Sequence, residues 1–126
     1  MKRFLPLALL TLAPFAQARP YTDQLGICYV FTNGKMTQRA ACVISAGYGA
    51  GAHYMSLGIG NRDYYVESPN MQPNQPPTLD GKTALFYKRD AAFFSILKGK
   101  PIEGEDYVDC VKTRDGKTDV CYLIPQ

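Results

Sequence analysis

Apolar positions along this chain fall in short runs, each broken by residues that favour tight turns. Ile27-Cys28-Tyr29-Val30-Phe31-Thr32 is a β-branched and aromatic run that ends at Asn33-Gly34, and Met36 to Ser45 reads as the returning strand. Tyr54 to Ile59 and Tyr64 to Glu67 flank Gly60-Asn61. Thr83 to Tyr87 and Ala92 to Leu97 flank Lys88-Arg89-Asp90. Asp106 to Thr113 and Thr118 to Ile124 flank Asp115-Gly116. About eight short strands at this spacing predict an all-β fold, a small antiparallel β-sandwich or barrel. A helix is conceivable only over Thr83 to Leu97, where the aromatic pairs Phe86-Tyr87 and Phe93-Phe94 favour strands. Two segments interrupt the rhythm. Residues 47–52 are a glycine-alanine loop, and Pro69 to Thr78 is a polar, proline-rich one in which proline blocks ladder pairing.

The first 18 residues stand apart from this pattern. Lys2 and Arg3 precede an apolar stretch from Phe4 to Ala13, and Ala16-Gln17-Ala18 is a small-x-small cleavage site. This is the form of a cleaved secretory signal peptide over 1–18, which leaves 19–126 as one β-domain. Pro6 and Pro14 interrupt the stretch, which is too short for a membrane anchor, and no later run reaches the length of a membrane helix. The expected location is therefore periplasmic or secreted. The formal charge of +3 includes Lys2 and Arg3, so without the leader it falls to about +1. Basic and acidic residues also alternate, as in Lys112-Thr113-Arg114-Asp115, where phosphate binding needs clustered cations. No nucleic-acid partner is expected.

Four cysteines, Cys28, Cys42, Cys110 and Cys121, in a short exported chain read as two disulfides. The Asp115-Gly116 turn places Cys110 directly opposite Cys121, and a bridge there is worth roughly 3 kcal/mol in the chain-entropy model. Cys28 and Cys42 flank the Asn33-Gly34 turn with an offset of three, since Cys28 would face Arg39, so a bulge or a longer loop is needed to join them. The pairing 28–42 with 110–121 is favoured, and pairings that join the first hairpin to the last remain open. No close Cys-x-x-Cys pair exists, and neither a metal site nor a cofactor is expected.

Catalytic signatures are sparse. His53 is the only histidine, so any triad would have to use it, and Ser45 and Ser56 sit in no nucleophile motif. Glu103, Glu105, Asp106 and Asp109 read as a solvated turn and strand start. Gly47-x-Gly49-x-Gly51 lacks the Lys-Ser/Thr that completes a phosphate-binding loop. Tyrosine is abundant, with nine residues and no tryptophan, which suits both a small core and a recognition surface. Tyr48, flanked by glycines, is expected to be presented on its loop.

Ala50-Gly51-Ala52-His53-Tyr54 resembles the Ser-Gly-x-x-Tyr segment of the MliC-type periplasmic lysozyme inhibitors, with alanine in place of the serine. Phe86-Tyr87-Lys88-Arg89-Asp90-Ala91-Ala92 resembles their aromatic-Lys-Gly stretch, in the same order, without the glycine. The resemblance implies a small exported β-barrel that inserts loop residues into a lysozyme cleft. The expectation is a non-enzymatic binding protein with a protein partner in the cell envelope, an inhibitor or immunity-type protein against a cell-wall hydrolase. Its candidate binding residues are Tyr48, Gly49, Gly51, His53, Tyr54, Lys88 and Arg89. The alternatives are a small hydrolase using His53 with a carboxylate, and an envelope-assembly subunit that adds an edge strand.

Overall fold

A computed structural model describes residues 19–69 and 74–125. The leader 1–18, residues 70–73 of the proline-rich loop and Gln126 lie outside the described residues. Nine strands form in chain order: β1 (Arg19–Pro20), β2 (Gln24–Thr32), β3 (Lys35–Gly49), β4 (Ala52–Ile59), β5 (Arg62–Pro69), β6 (Thr78–Leu79), β7 (Lys82–Asp90), β8 (Tyr107–Thr113) and β9 (Asp119–Leu123). Every pairing is antiparallel, and each strand from β2 onward pairs with the next in sequence. The β2–β9 ladder closes the ring, so β2 to β9 make an eight-stranded up-and-down barrel. β1 adds a short rung to the far end of β3.

The expected disulfides form. Cys110 lies opposite Cys121, as the Asp115-Gly116 turn dictates, with Cα atoms 4.0 Å apart. Cys28 bonds Cys42 through a bulge between Val30 and Phe31. The extra residue moves the rung opposite Cys28 from Arg39 to Ala40, which puts Cys42 two residues along on the same face, Cα 5.7 Å away. Gly26 stands opposite Cys42 where a Cβ would meet Ile44 Cδ1 at 2.5 Å and the Leu123 carbonyl oxygen at 2.7 Å.

Two expectations about the connections are corrected. Residues 47–52 are not a loop: β3 runs to Gly49 and β4 starts at Ala52, joined by Ala50 (φ 50°) and Gly51 (φ 78°). Both central residues have positive φ, the signature of a type I′ turn, as at Asn33-Gly34 and Asp80-Gly81. Tyr48 therefore sits half-buried within a strand and is not presented on a loop. Nor do residues 88–90 form a turn. They continue β7 to Asp90, and no strand follows over 92–97. Asp90 moves the reversal downstream: its carboxylate accepts the N–H groups of Ala92, Phe93 and Ser95, and the chain folds back so that the Leu97 N–H donates to the Lys88 carbonyl.

Side chains alternate between two environments. Cys28, Cys42, Ile44, Leu57, Ile59, Tyr64, Val66, Leu79, Ala84, Val111 and Val120, drawn from all eight barrel strands, fill the interior. On the other face of β2, β8 and β9, Tyr29, Phe31, Val108, Cys110 and Cys121 form a second cluster, covered by the 91–106 connection through Phe94. The Phe94 ring lies 4.8 Å from Tyr29 and 6.2 Å from Phe31, centroid to centroid.

Candidate functional site

A meander puts alternate connections at opposite ends of its barrel. One end carries the β2–β3, β4–β5, β6–β7 and β8–β9 turns, all short. The other carries the Ala50-Gly51 turn, residues 74–77 leading into β6, the 91–106 connection and the β1–β2 link. The interior differs accordingly. Beneath the short turns the inward side chains Leu57, Leu79, Val111 and Val120 are fully buried. Toward the other end the inward row continues as Tyr48, His53, Met55, Ser68, Phe86, Lys88, Tyr107, Asp109 and Tyr122, and none of these is fully buried. Phe86 makes the contrast plain: it pairs with wholly buried Val111 across the ladder yet is 51% exposed. The barrel is filled at one end and cupped at the other.

Two adjoining hollows occupy the cup. One of about 280 Å³ is lined by residues including Tyr21, His53, Met55, Ser68, Phe86 and Tyr122. A second of about 360 Å³ shares Phe86 and Tyr122 and reaches Lys88 and Asp109. Lys88 donates a hydrogen bond to the Asp109 carboxylate, and its ammonium stands 4.3 Å above the Tyr107 ring. Burial, with the Asp109 charge adding to it, pushes the Tyr122 phenol up to about 12, so it remains a neutral hydrogen-bond donor. Tyr48 pairs with His53 across β3 and β4, ring centroids 6.0 Å apart, and Tyr21 lies 5.9 Å from Tyr48. His53 makes no side-chain hydrogen bond among the described residues. Its inward cross-strand neighbour is Ser68.

The predicted site residues therefore separate. Tyr48 and His53 pair across β3 and β4, His53 lines one hollow of the cup and Lys88 the other, and Gly49 and Gly51 lie at the β3–β4 turn beside them. Tyr54 has the opposite parity to His53, yet it lines both the 280 Å³ hollow and a neighbouring groove of about 210 Å³ with Ser45, Ser56 and Tyr65. Arg89 turns away from the cup and is buried under the 91–106 connection. Its guanidinium stacks 4.0 Å from the Phe31 ring centre, donates to the Phe94 carbonyl at 2.9 Å and to the Tyr87 hydroxyl at 3.1 Å, and pairs with Asp119 at 3.3 Å. Tyr87 in turn donates to Asp119, and burial together with that bond pushes its phenol well above the ordinary range. Arg89 is thus the clasp that holds the connection down.

Sequence reasoning missed Phe86, Asp109 and Tyr122. The period of two was available as a signal, since Phe86 lies two residues from Lys88 on the same face. It also missed the connection 91–106, where Phe93 is 86% and Ile102 76% exposed. No metal-binding cluster of His, Cys, Asp and Glu occurs among the described residues. No helix among them is long and apolar enough to cross a membrane.

No family model matches the chain, and no curated protein or solved structure matches it. The likeness to lysozyme inhibitors rests on its two short segments. Ala50 to Tyr54 forms the β3–β4 turn and the start of β4, and Phe86 to Ala92 the end of β7, both at the cupped end.

Proposed function

We propose that this chain is an exported, non-enzymatic binding protein that engages a protein partner in the cell envelope with the cupped end of its barrel. Within that class it acts as an inhibitor or immunity-type protein against a cell-wall hydrolase. The observation that carries the reading is a connection that exposes three large apolar side chains and is pinned at its base. Phe93 stands on a turn fixed by three hydrogen bonds to Asp90, the base of the 91–106 connection is clasped by Arg89, and Ile96 and Ile102 are exposed on the same connection. A connection of this length in a small domain is uncommon unless it has a role of its own. Large apolar side chains held rigidly in water are the usual anchors of protein interfaces. Two disulfides suit an oxidising compartment.

The test is inhibition of a panel of lysozymes and peptidoglycan amidases by the disulfide-bonded protein. Inhibition of at least one, weakened tenfold or more (about 1.4 kcal/mol) by Phe93→Ala with Ile102→Ala, is the expected result. A clean negative across the panel refutes the inhibitor reading.

A second reading, the envelope-assembly subunit, is favoured by one feature. β3 pairs with β4 only from Val43 onward, so Lys35 to Cys42 has β2 on one side and an unpaired edge on the other among the described residues. Lys35, Arg39 and the nearby bulge are features that discourage edge pairing. Concentration-dependent association on gel filtration, abolished by a proline at Ala41, would support this reading over the first.

A further inference from the structure

We infer that the cup itself is a binding site for a neutral saccharide ring. This site is separate from the exposed apolar side chains of the 91–106 connection and does not depend on the partner they engage. Three observations carry the inference.

The first is the unfinished interior. An eight-stranded barrel is just wide enough to be filled by its own side chains or to hold one small ligand. Here both solutions occur along one axis. Phe86, Met55 and Tyr122 continue the inward rows of a filled core, yet they border open space where the next layer of side chains would stand. Barrel mouths are among the preferred places for small-molecule sites.

The second is charge. Lys88 is the cup's fixed cation and Asp109 its fixed anion, and they are paired with each other. The Ser68 hydroxyl and the Tyr122 phenol beside them add no fixed charge of either sign. An anionic or cationic ligand would have to break the Lys88–Asp109 pair to find a counterion. A neutral one need not.

The third is the combination of surfaces. Phe86 and Tyr122 present aromatic area to both hollows, and Tyr21 to one of them. Beside them stand donors and acceptors: the Lys88 ammonium and Asp109 carboxylate in one hollow, the Ser68 hydroxyl in the other, and the Tyr122 phenol in both. Aromatic faces accept the C–H faces of a sugar ring, while a Lys–Asp pair offers a donor and an acceptor to neighbouring hydroxyls. A plain apolar ligand would leave those polar groups unpaired on closure, which is costly.

The experiment uses the disulfide-bonded protein, isotope-labelled for NMR. It is titrated with two neutral saccharides, cellobiose and N,N′-diacetylchitobiose, and with two charged aromatics, benzoate and benzylamine. At least one saccharide is expected to saturate with roughly millimolar affinity, with shifts centred on Met55, Ser68, Phe86 and Tyr122. Phe86→Ala and Asp109→Asn are expected to weaken it roughly tenfold, while Phe93→Ala leaves it unchanged. Phe86→Ala carries the test if Asp109→Asn fails to fold, because Phe86 is already half in water. The inference is overturned if neither saccharide saturates, if shifts centre outside the cup, or if benzoate or benzylamine binds more tightly than both. Loss of saccharide binding in Phe93→Ala would equally overturn the separation of the two sites.

Discussion

The two ends of this barrel are built from the same strands and differ in what fills them. Under the short turns, Leu57, Leu79, Val111 and Val120 meet around the axis with no water-accessible surface. A few residues along the same strands, Phe86, Lys88, Asp109 and Tyr122 border a cup. Stability is therefore concentrated in one half, which frees the other from close packing. The outer face of β2, β8 and β9 complicates this picture, because the 91–106 connection reaches from the cupped end and seals a second apolar cluster. The cupped end carries the binding features, and it is held in shape from outside the barrel.

The clasp offers the largest test of that arrangement. Arg89 and Asp119 are 6% and 9% exposed at their side chains, and Asp119 is also bonded by Tyr87. Arg89→Ala leaves Asp119 buried without its cation and frees the Phe94 carbonyl. The expected cost is about 3–5 kcal/mol, measured by denaturant unfolding. Replacing the pair together, Arg89→Met with Asp119→Leu, is expected to cost less than Arg89→Ala alone, because no charge is stranded. Equal losses would show that packing against Phe31, and not the buried charge, sets the value of the clasp.

Matched truncations sharpen the comparison between the ends. Leu57→Ala empties part of a filled interior and is expected to cost about 2–5 kcal/mol. Phe86→Ala removes a larger side chain on an inward row, but one that borders open space, and is expected to cost under about 1 kcal/mol. Similar losses at both positions would mean that the cup is closed in solution.

The sequence made the filled end legible and the cupped end less so, for a physical reason. Asn33-Gly34, Gly60-Asn61 and Asp115-Gly116 announce their turns because positive φ restricts residue choice. The Cys110–Cys121 register follows by counting from one of them. The Cys28–Cys42 bridge needed a bulge whose position between Val30 and Phe31 no residue type marks. At the other end, Ala50 occupies a positive-φ position that alanine does not advertise, so the sequence reads as a loop there. Asp90 reads from the sequence as part of a turn, whereas it accepts hydrogen bonds from the reversal that follows it. Of the seven expected site residues, Tyr48, His53 and Lys88 share an inward parity across β3, β4 and β7, and Arg89 departs because it is one residue out of that parity. Chain order alone does not reveal which parity faces the axis until the register is known.

Ala50 also supplies a smaller test. At the filled end the type I′ turns use Asn33-Gly34 and Asp80-Gly81, residues that tolerate positive φ. Ala50-Gly51 has the same geometry at the rim of the cup with a residue that does not. Ala50→Asn is expected to raise stability by roughly 0.5–1 kcal/mol, read from the shift in denaturant midpoint. No gain would mean that the turn has a different shape in solution.

The smallest effect concerns acid, and it distinguishes the ends by what backs up each turn. Hydrogen bonds from the Phe93, Ser95 and Ala92 N–H groups hold the Asp90 carboxyl below the usual carboxylate range. At the filled end the Thr113 hydroxyl and the Lys117 N–H do the same for Asp115. A carboxyl lowered in the folded state contributes stability that is present above its unfolded value, about 3.9, and is lost as pH falls through the folded value. Protonation therefore loosens both turns, in the same acidic window. The Asp115 turn keeps a ladder bond from the Thr113 N–H to the Thr118 carbonyl and lies beside the Cys110–Cys121 bridge. The Asp90 turn loses three acceptor contacts at one carboxylate, all to its own tip, while the bonds it keeps (Phe94 N–H to the Asp90 carbonyl, Asp90 N–H to the Ser95 carbonyl, Leu97 N–H to the Lys88 carbonyl) leave the Ala92, Phe93 and Ser95 N–H groups without a partner among the described residues. Amide exchange below that window is expected to accelerate at Ala92, Phe93 and Ser95 before it does at Lys117 and Thr118. The reverse order would mean that the 91–106 connection is held by Arg89 and Phe94 alone, with Asp90 only following its shape.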